Sequence, residues 1–318
     1  MGVIVSQRRT HVPTQGPSTN QPGSPTTKRV RIGLASRQAI VAYIFLTPAL
    51  IYFSIFFLYP IVSEFITSLQ SDNTGEFVGL QNYVQAFQDP QAVNSFKVTI
   101  IFAFGVVILD IVIGLGLALL LDRPFRGRAI FRAIFMIPYI SSGVIIGLMW
   151  RAILDPITGI LNNVLLKIGL PGQNWLTSPT WALPVLIGIT VWQASGYTML
   201  LFLAGLQNIP EEYYHAAQVD GAGKFMRFRH ITLPLLLPTT LFISIIGVIN
   251  SLQAFTQAYL ITQGGPANAT NFYVFNVFNV AFTDNDIAYA SALTFLLFLT
   301  ILVFTIMQFR VGNRNVEY

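Results

Sequence analysis

Cysteine is absent, histidine occurs only at His11, His215 and His230, and charged residues make up 10% of the 318 positions. Without cysteine there is no disulfide framework and no thiolate metal site. Three scattered histidines offer no HExxH or paired-His ligand set, so no metal is expected. No G-x-x-x-x-G-K-[ST] stretch occurs, since GAGK (Gly221 to Lys224) and GLGL (Gly114 to Leu117) lack that spacing. This chain is therefore expected to bind no nucleotide or other cofactor of its own. Nor is a nucleophile, base and oxyanion constellation visible, which argues against an enzyme. Ten-residue segments of strictly alternating polarity are missing too, which disfavours a β-barrel.

Hydrophobic residues make up 53% of the chain and the mean hydropathy is +0.62, too apolar for an ordinary soluble domain. A spanning helix needs about 20 consecutive apolar residues. Six windows meet that length: Ile40 to Thr67, Val98 to Leu121, Ile134 to Leu154, Trp181 to Leu206, Leu235 to Thr262 and Ile287 to Gln308. The expected fold is all-α, a polytopic membrane protein with six transmembrane helices over residues 38–318. Residues 1–37, rich in Ser, Thr, Pro, Gln and Gly, read as a disordered cytoplasmic tail. No short apolar core with a small-residue cleavage site precedes the first window, so a signal peptide is not expected.

The net charge of +5 does not point to nucleic acid, because its distribution follows the windows. Of 18 Lys and Arg residues, 15 fall in the tail and in the segments after the second, fourth and sixth windows; Lys97, Arg151 and Lys167 fall on the other side. By the positive-inside rule both termini are expected in the cytoplasm. On the opposite side, Ile157 to Ile168 has helical apolar spacing and suits a short interfacial helix. Asn271 to Phe282 alternates aromatics with Asn, which suits the outer headgroup level, and Trp175 and Trp181 read as interfacial anchors.

The longest polar insertion lies between windows four and five, in a loop spanning 207–234. Pro210 followed by Glu211 and Glu212 starts a helix with acids at its positive end. Gly221 and Gly223 break it into a turn, after which Phe225, Phe228 and Ile231 recur at i, i+3, i+6. Two short helices joined by glycine, with apolar residues on both halves, read as a docking knob.

Two further groups are polar within the apolar windows. Asp110, near the middle of the second, needs a cavity, a partner or a hydrogen-bond donor; either structural pairing or a place on a solute path would meet that need. The fourth and fifth windows carry Trp192, Gln193, Ser195 and Tyr197, then Asn250, Ser251, Gln253, Thr256, Gln257 and Tyr259. Such uncharged donors and acceptors, with aromatic faces, suit a hydroxyl-rich solute. Singly, each would serve equally well as an interhelical hydrogen bond.

The loop resembles the cytoplasmic coupling loop of permease subunits of binding-protein-dependent ABC importers, whose pattern is EAA, a glycine four residues on, then I-x-L-P. The matching residues are His215-Ala216-Ala217, Asp220-Gly221-Ala222 and Ile231-Thr232-Leu233-Pro234, flanked by LAGLQNIP and followed by LLLP. FVGLQNY (Phe77 to Tyr83), IPYISSGVIIGLMWR (Ile137 to Arg151) and ITQGGPANAT (Ile261 to Thr270) extend the similarity to the sugar-importing, maltose-permease-like group, in the short form without the large outward insert. His215 stands where the family carries Glu; Glu211 and Glu212 lie one turn earlier. The resemblance implies a translocation subunit of the bacterial inner membrane. Its implied partners are a second homologous permease, two ATPase subunits, read as a homodimer, that hold ATP and Mg, an extracytoplasmic solute-binding protein and membrane lipid. The implied cargo is a mono-, di- or oligosaccharide. Coupling to the ATPase would fall on Glu211, Glu212, Tyr214, His215, Ala216, Ala217, Asp220, Gly221, Ala222 and Phe225. Maltose-type contacts would fall at Gln193, Ala194, Tyr197, Gly247, Asn250, Ser251, Ala254 and Thr256. The alternative is a proton-coupled secondary transporter that uses Asp110 and needs no ATPase.

Overall fold

A computed structural model describes residues 34–72 and 74–313. The expected tail before residue 34 and the basic residues Arg8, Arg9, Lys28, Arg29, Arg31 and Arg314 lie outside that range. The chain divides into two compact units between Phe57 and Leu58. In the first, α1 (Leu34–Phe53) runs into a π turn at Ser54–Leu58, and its described side chains from Val41 onward are exposed. A helix that presents apolar groups all round is suited to lipid or to a partner helix.

The second unit begins with α2 (Tyr59–Thr67), α3 (Gln81–Gln88) and α4 (Pro90–Asp122). It continues with α5 (Arg128–Ile140), α6 (Gly143–Ile153), α7 (Ile160–Lys167) and α8 (Ala182–Gln207). α9 (Glu211–Val219), α10 (Lys224–Arg227), α11 (Leu233–Leu235), α12 (Leu237–Leu252), α13 (Tyr273–Phe282) and α14 (Ile287–Asn313) complete it. Among the described residues the one β feature is an isolated bridge between Gln70 and Phe77. The fold is all-α, as the composition requires.

Four helical stretches are long and apolar enough to cross a membrane unaided: Val41–Thr67, Pro90–Asp122, Ala182–Gln207 and Ile287–Gly312. Two bent pairs raise the number to six, α5 with α6 at 94° and the Lys224–Leu235 segment with α12 at 61°. The six-window expectation holds in number, but the third and fifth windows are not straight helices. Proline explains much of this. Pro138 near the end of α5 cannot donate to the preceding turn, and the helix stops at Ser141; Pro238 at the start of α12 cannot continue the ladder from α11.

α4 is the central pillar and runs 33 residues, about 50 Å at 1.5 Å per residue. Its start is set eight residues before the apolar window by Asp89, whose side chain accepts from Gln91 N at 2.8 Å, and by Pro90 in the first turn. Fully buried Phe102, Leu186 and Phe272 join α4, α8 and the segment before α13. Further along, Ala118, Met199, Phe202 and Leu236 close the other half of the α4 and α8 contact.

The Asn and aromatic alternation of 271–282 forms α13, a helix packed against α4 and α14. Tyr273, Asn276 and Val280 are buried, and Tyr273 N donates to Thr99 Oγ1 of α4 at 2.8 Å. The asparagines belong to the interior because they pair, Asn271 Nδ2 donating to Asn276 Oδ1 at 3.3 Å. The short helix expected within 157–168 is α7, held by Asn162 as well as by Leu161 packed against the core. That buried amide donates to the carbonyls of Pro156 and Gln173 and accepts from Gln173 N and the Trp175 indole. Trp175 thus serves as a loop tie.

Candidate functional site

The two interrupted spans meet at the same place. α12 stops at Leu252, residues 253–255 are non-helical, and helix resumes at Thr256 before a π turn over Ala258–Thr262. Broken backbone at membrane depth is tolerated where it lines a cavity or is buried in protein. Here it lines a cavity of about 300 Å³, walled by α4, α5, α8 and α12. The run Asn250-Ser251-Leu252-Gln253-Ala254-Phe255-Thr256-Gln257 could not fill an apolar core, and its polar members turn inward at this break.

Six of the seven expected path residues line the cavity together: Tyr197 from α8, then Asn250, Ser251, Gln253, Thr256 and Gln257. Ala194, Gly247 and Ala254 lie there too. Gln193 does not. It lines a neighbouring cavity of about 200 Å³ that includes Gly143 at the start of α6 and shares Thr256 and Gln257 as walls. Trp192 packs edge-on against Trp150 with centroids 5.5 Å apart, and Tyr259 stacks on Phe255 at 5.1 Å. Neither of these two aromatics lines either cavity.

The sequence reading missed Tyr139. It comes from the end of α5, two residues before the 94° break, and its ring lies parallel to that of Tyr197 at 4.6 Å and 6°. The available signal was the Pro-Tyr-Ile-Ser-Ser run, a proline and two serines inside an apolar window. Thr190 and Thr198 were missed as well, because a threonine in a spanning helix ordinarily bonds its own backbone. Thr190 does so, donating to Leu186 O at 2.9 Å. Thr198 instead donates across the helix interface to Asp110 Oδ2 at 2.6 Å. Asp110 is therefore both structurally paired and a wall of the cavity, 7% exposed.

The loop over 207–234 forms a helical hairpin, two short helices joined at Gly221 as expected. α9 ends in a Schellman turn: Ala222 N donates to Ala217 O at 2.8 Å and Gly221 N to Gln218 O at 3.0 Å, with Gly221 at φ +78°. Glu211, Glu212, His215, Ala216, Asp220, Gly221 and Phe225 are exposed, and Tyr214, Ala217 and Ala222 partly so. The expected apolar face of the second half divides. Phe225 points outward at 78% exposure, whereas Phe228 and Ile231 are half-buried, Ile231 against the α4 and α8 core. Tyr214 and Thr232 share a 3.0 Å hydroxyl hydrogen bond that ties the two arms together. From Lys224 to Leu235 the second arm is one helical rod through a π turn, leading into the bend at α12.

Comparison with known proteins decides the class. The family described as binding-protein-dependent transport system inner membrane component matches residues 110–316, which include the hairpin and most of the cavity lining. The chain belongs to that family. It is a multi-pass permease subunit of the inner membrane, a translocation component rather than an enzyme, and the proton-coupled alternative is set aside. The permease is 35% identical over 287 residues to the trehalose/maltose transport system permease protein MalF of Thermococcus litoralis, which covers 88% of this chain and 96% of that one. It is 34% identical over 276 residues to the arabinooligosaccharides transport system permease protein AraP of Bacillus subtilis, 85% and 88% of the two chains. In fold it matches a chain of a bacterial alginate ABC transporter, solved in complex with an alginate pentasaccharide-bound periplasmic protein. That match has a TM-score of 0.80 at 24% identity and covers 90% of this chain and 99% of that one.

Proposed function

We propose that this permease forms half of the translocation path for a small neutral, hydroxyl-rich solute, a mono-, di- or oligosaccharide. The observation that carries the proposal is the convergence of two broken spans on one cavity whose side chains are amides, hydroxyls and a stacked tyrosine pair. Amide and hydroxyl groups can donate to and accept from sugar hydroxyls, and aromatic faces suit the CH surfaces of the ring. Asn250 and Gln253 line the cavity and are exposed, which fits a second homologous permease completing the path. The names of MalF and AraP support the sugar class.

The hairpin over 207–234 is the proposed contact with the ATPase pair, which would hold ATP and Mg, while an extracytoplasmic binding protein delivers the solute. Exposed Val219 and Phe225, at 89% and 78%, offer apolar anchors to a cleft. A stiff rod from Lys224 to Leu235 suits transmission of a rigid-body movement to α12 and the cavity. Both termini and the hairpin are placed in the cytoplasm on the strength of the basic-residue distribution.

Replacement of Tyr197 by Ala, or of Asn250 by Leu, tests the path. Each removes a stacking face or an amide, an interaction of about 1 to 3 kcal/mol, so initial uptake should fall about 5-fold to 150-fold while assembly persists. Unchanged uptake in both variants would take the cavity off the solute path.

A further inference from the structure

Asp110 is over-provided for a structural tie. Its Oδ2 accepts the Thr198 hydroxyl, a bond that an asparagine carbonyl could also make. Its Oδ1 is buried with no hydrogen-bond partner, although the residue lines a cavity with Ser251 and Asn250 among its other walls. No Lys, Arg or His is among the residues lining that cavity. Carrying a carboxylate at membrane depth, with one oxygen unanswered and no cation beside it, is costly. A purely structural pairing would not require that cost.

We infer that Asp110 sets the charge selectivity of the solute cavity: its carboxylate, with no cation among the lining residues, excludes anionic solutes. An acidic sugar would bring a second negative charge within a few ångströms in a medium that screens poorly. The selected class is thus neutral or cationic polyhydroxy solutes, with uronates and sugar phosphates refused by this chain as well as by any upstream binding protein. The inference rests on the reading of this cavity as the solute path.

The native chain has no cysteine, so a thiol placed in the cavity at Asn250→Cys reports its potential without knowledge of the solute. The assembled complex is treated with methanethiosulfonate reagents that are cationic, anionic and neutral, and modification of this chain is followed by mass spectrometry. After normalisation to the neutral reagent, the cationic one should react at least about 10-fold faster than the anionic one. Asp110→Asn should bring the ratio to within about 2-fold, whereas Thr198→Val, which keeps the carboxylate, should preserve it. Equal normalised rates with Asp110 intact would overturn the charge-selecting role and leave the solute path standing; that measurement needs no Asp110 variant. A ratio that persists in Asp110→Asn would overturn it too. If no reagent reaches the thiol in the native complex while all modify it after denaturation, the cavity is not a path and both readings fall.

Discussion

Thr198 reaches Asp110 because Gly114 stands one turn further along α4. A Cβ at Gly114 would lie 2.9 Å from Thr198 Cβ and 3.3 Å from the backbone nitrogen of Met199, so only glycine lets α8 approach closely enough for the 2.6 Å bond. Gly114→Ala should force the helices apart at a cost of about 1 to 3 kcal/mol, read as a lower thermal unfolding midpoint in detergent; an unchanged midpoint would show that the contact is not tight. Asp155, in the loop after α6, makes a second residue-scale prediction. Hydrogen bonds from the Thr158 amide and hydroxyl and the Ile157 amide hold its carboxyl below the usual carboxylate range. A depressed acid stabilises the turn above its unfolded value and loses that contribution as pH falls through its folded one. Amide protection at Thr158 should therefore persist at neutral pH and fade only in strong acid, and Asp155→Ala should remove it at every pH. At this scale the sequence was legible where polar side chains cluster, as Asn250, Ser251 and Gln253 do. It was not legible where choice of partner decides: Thr190 and Thr198 look alike, yet one bonds its own helix and the other reaches across to Asp110.

The hairpin over 207–234 shows what local sequence can and cannot dictate about an element. Pro210, the paired glutamates and Gly221 set the start and end of α9, and the Schellman turn follows from a residue free to adopt φ +78°. No atom beyond the neighbouring residues lies within 4 Å of a Cβ at Gly221, so a substitution there acts through backbone strain and through the surface presented to a partner. Gly221→Asp should leave the permease in the membrane but abolish ATP-dependent uptake. Gly221→Asn, which tolerates the left-handed region and carries no charge, should retain a substantial part. Equal, near-normal uptake in both would remove the hairpin from coupling. The fate of Phe228 and Ile231 was not legible, because spacing alone assigns a face without saying what covers it. The breaks at Ser141 and Gln253 were hidden for a related reason: hydropathy averaged over a window reports that a segment is apolar, not that a proline or a polar run splits it. The packing of α13 was not legible either, because asparagine between aromatics suits both an interface and an interior in which amides pair.

For the whole molecule, the number of spans and the family were written in composition, charge distribution and one loop motif, whereas the cavity depends on contacts between residues far apart in sequence, such as Thr198 and Asp110 or Gln257 and Thr190. The proposed orientation rests on the charge distribution. A single cysteine at Val219, 89% exposed on the hairpin, should be labelled by an impermeant reagent only after the cytoplasmic side is opened, and labelling in intact cells would invert the topology. The central claim is that this chain carries its solute at the expense of ATP hydrolysed by partners. It is tested most directly by initial uptake in vesicles that contain this permease with its partner permease, ATPase pair and loaded binding protein, with ATP and a proton gradient supplied separately. Uptake should require ATP and the binding protein, ignore the proton gradient, and fall at least about 5-fold in Tyr197→Ala. Uptake driven by the proton gradient without ATP, and lost in Asp110→Asn, would contradict the account.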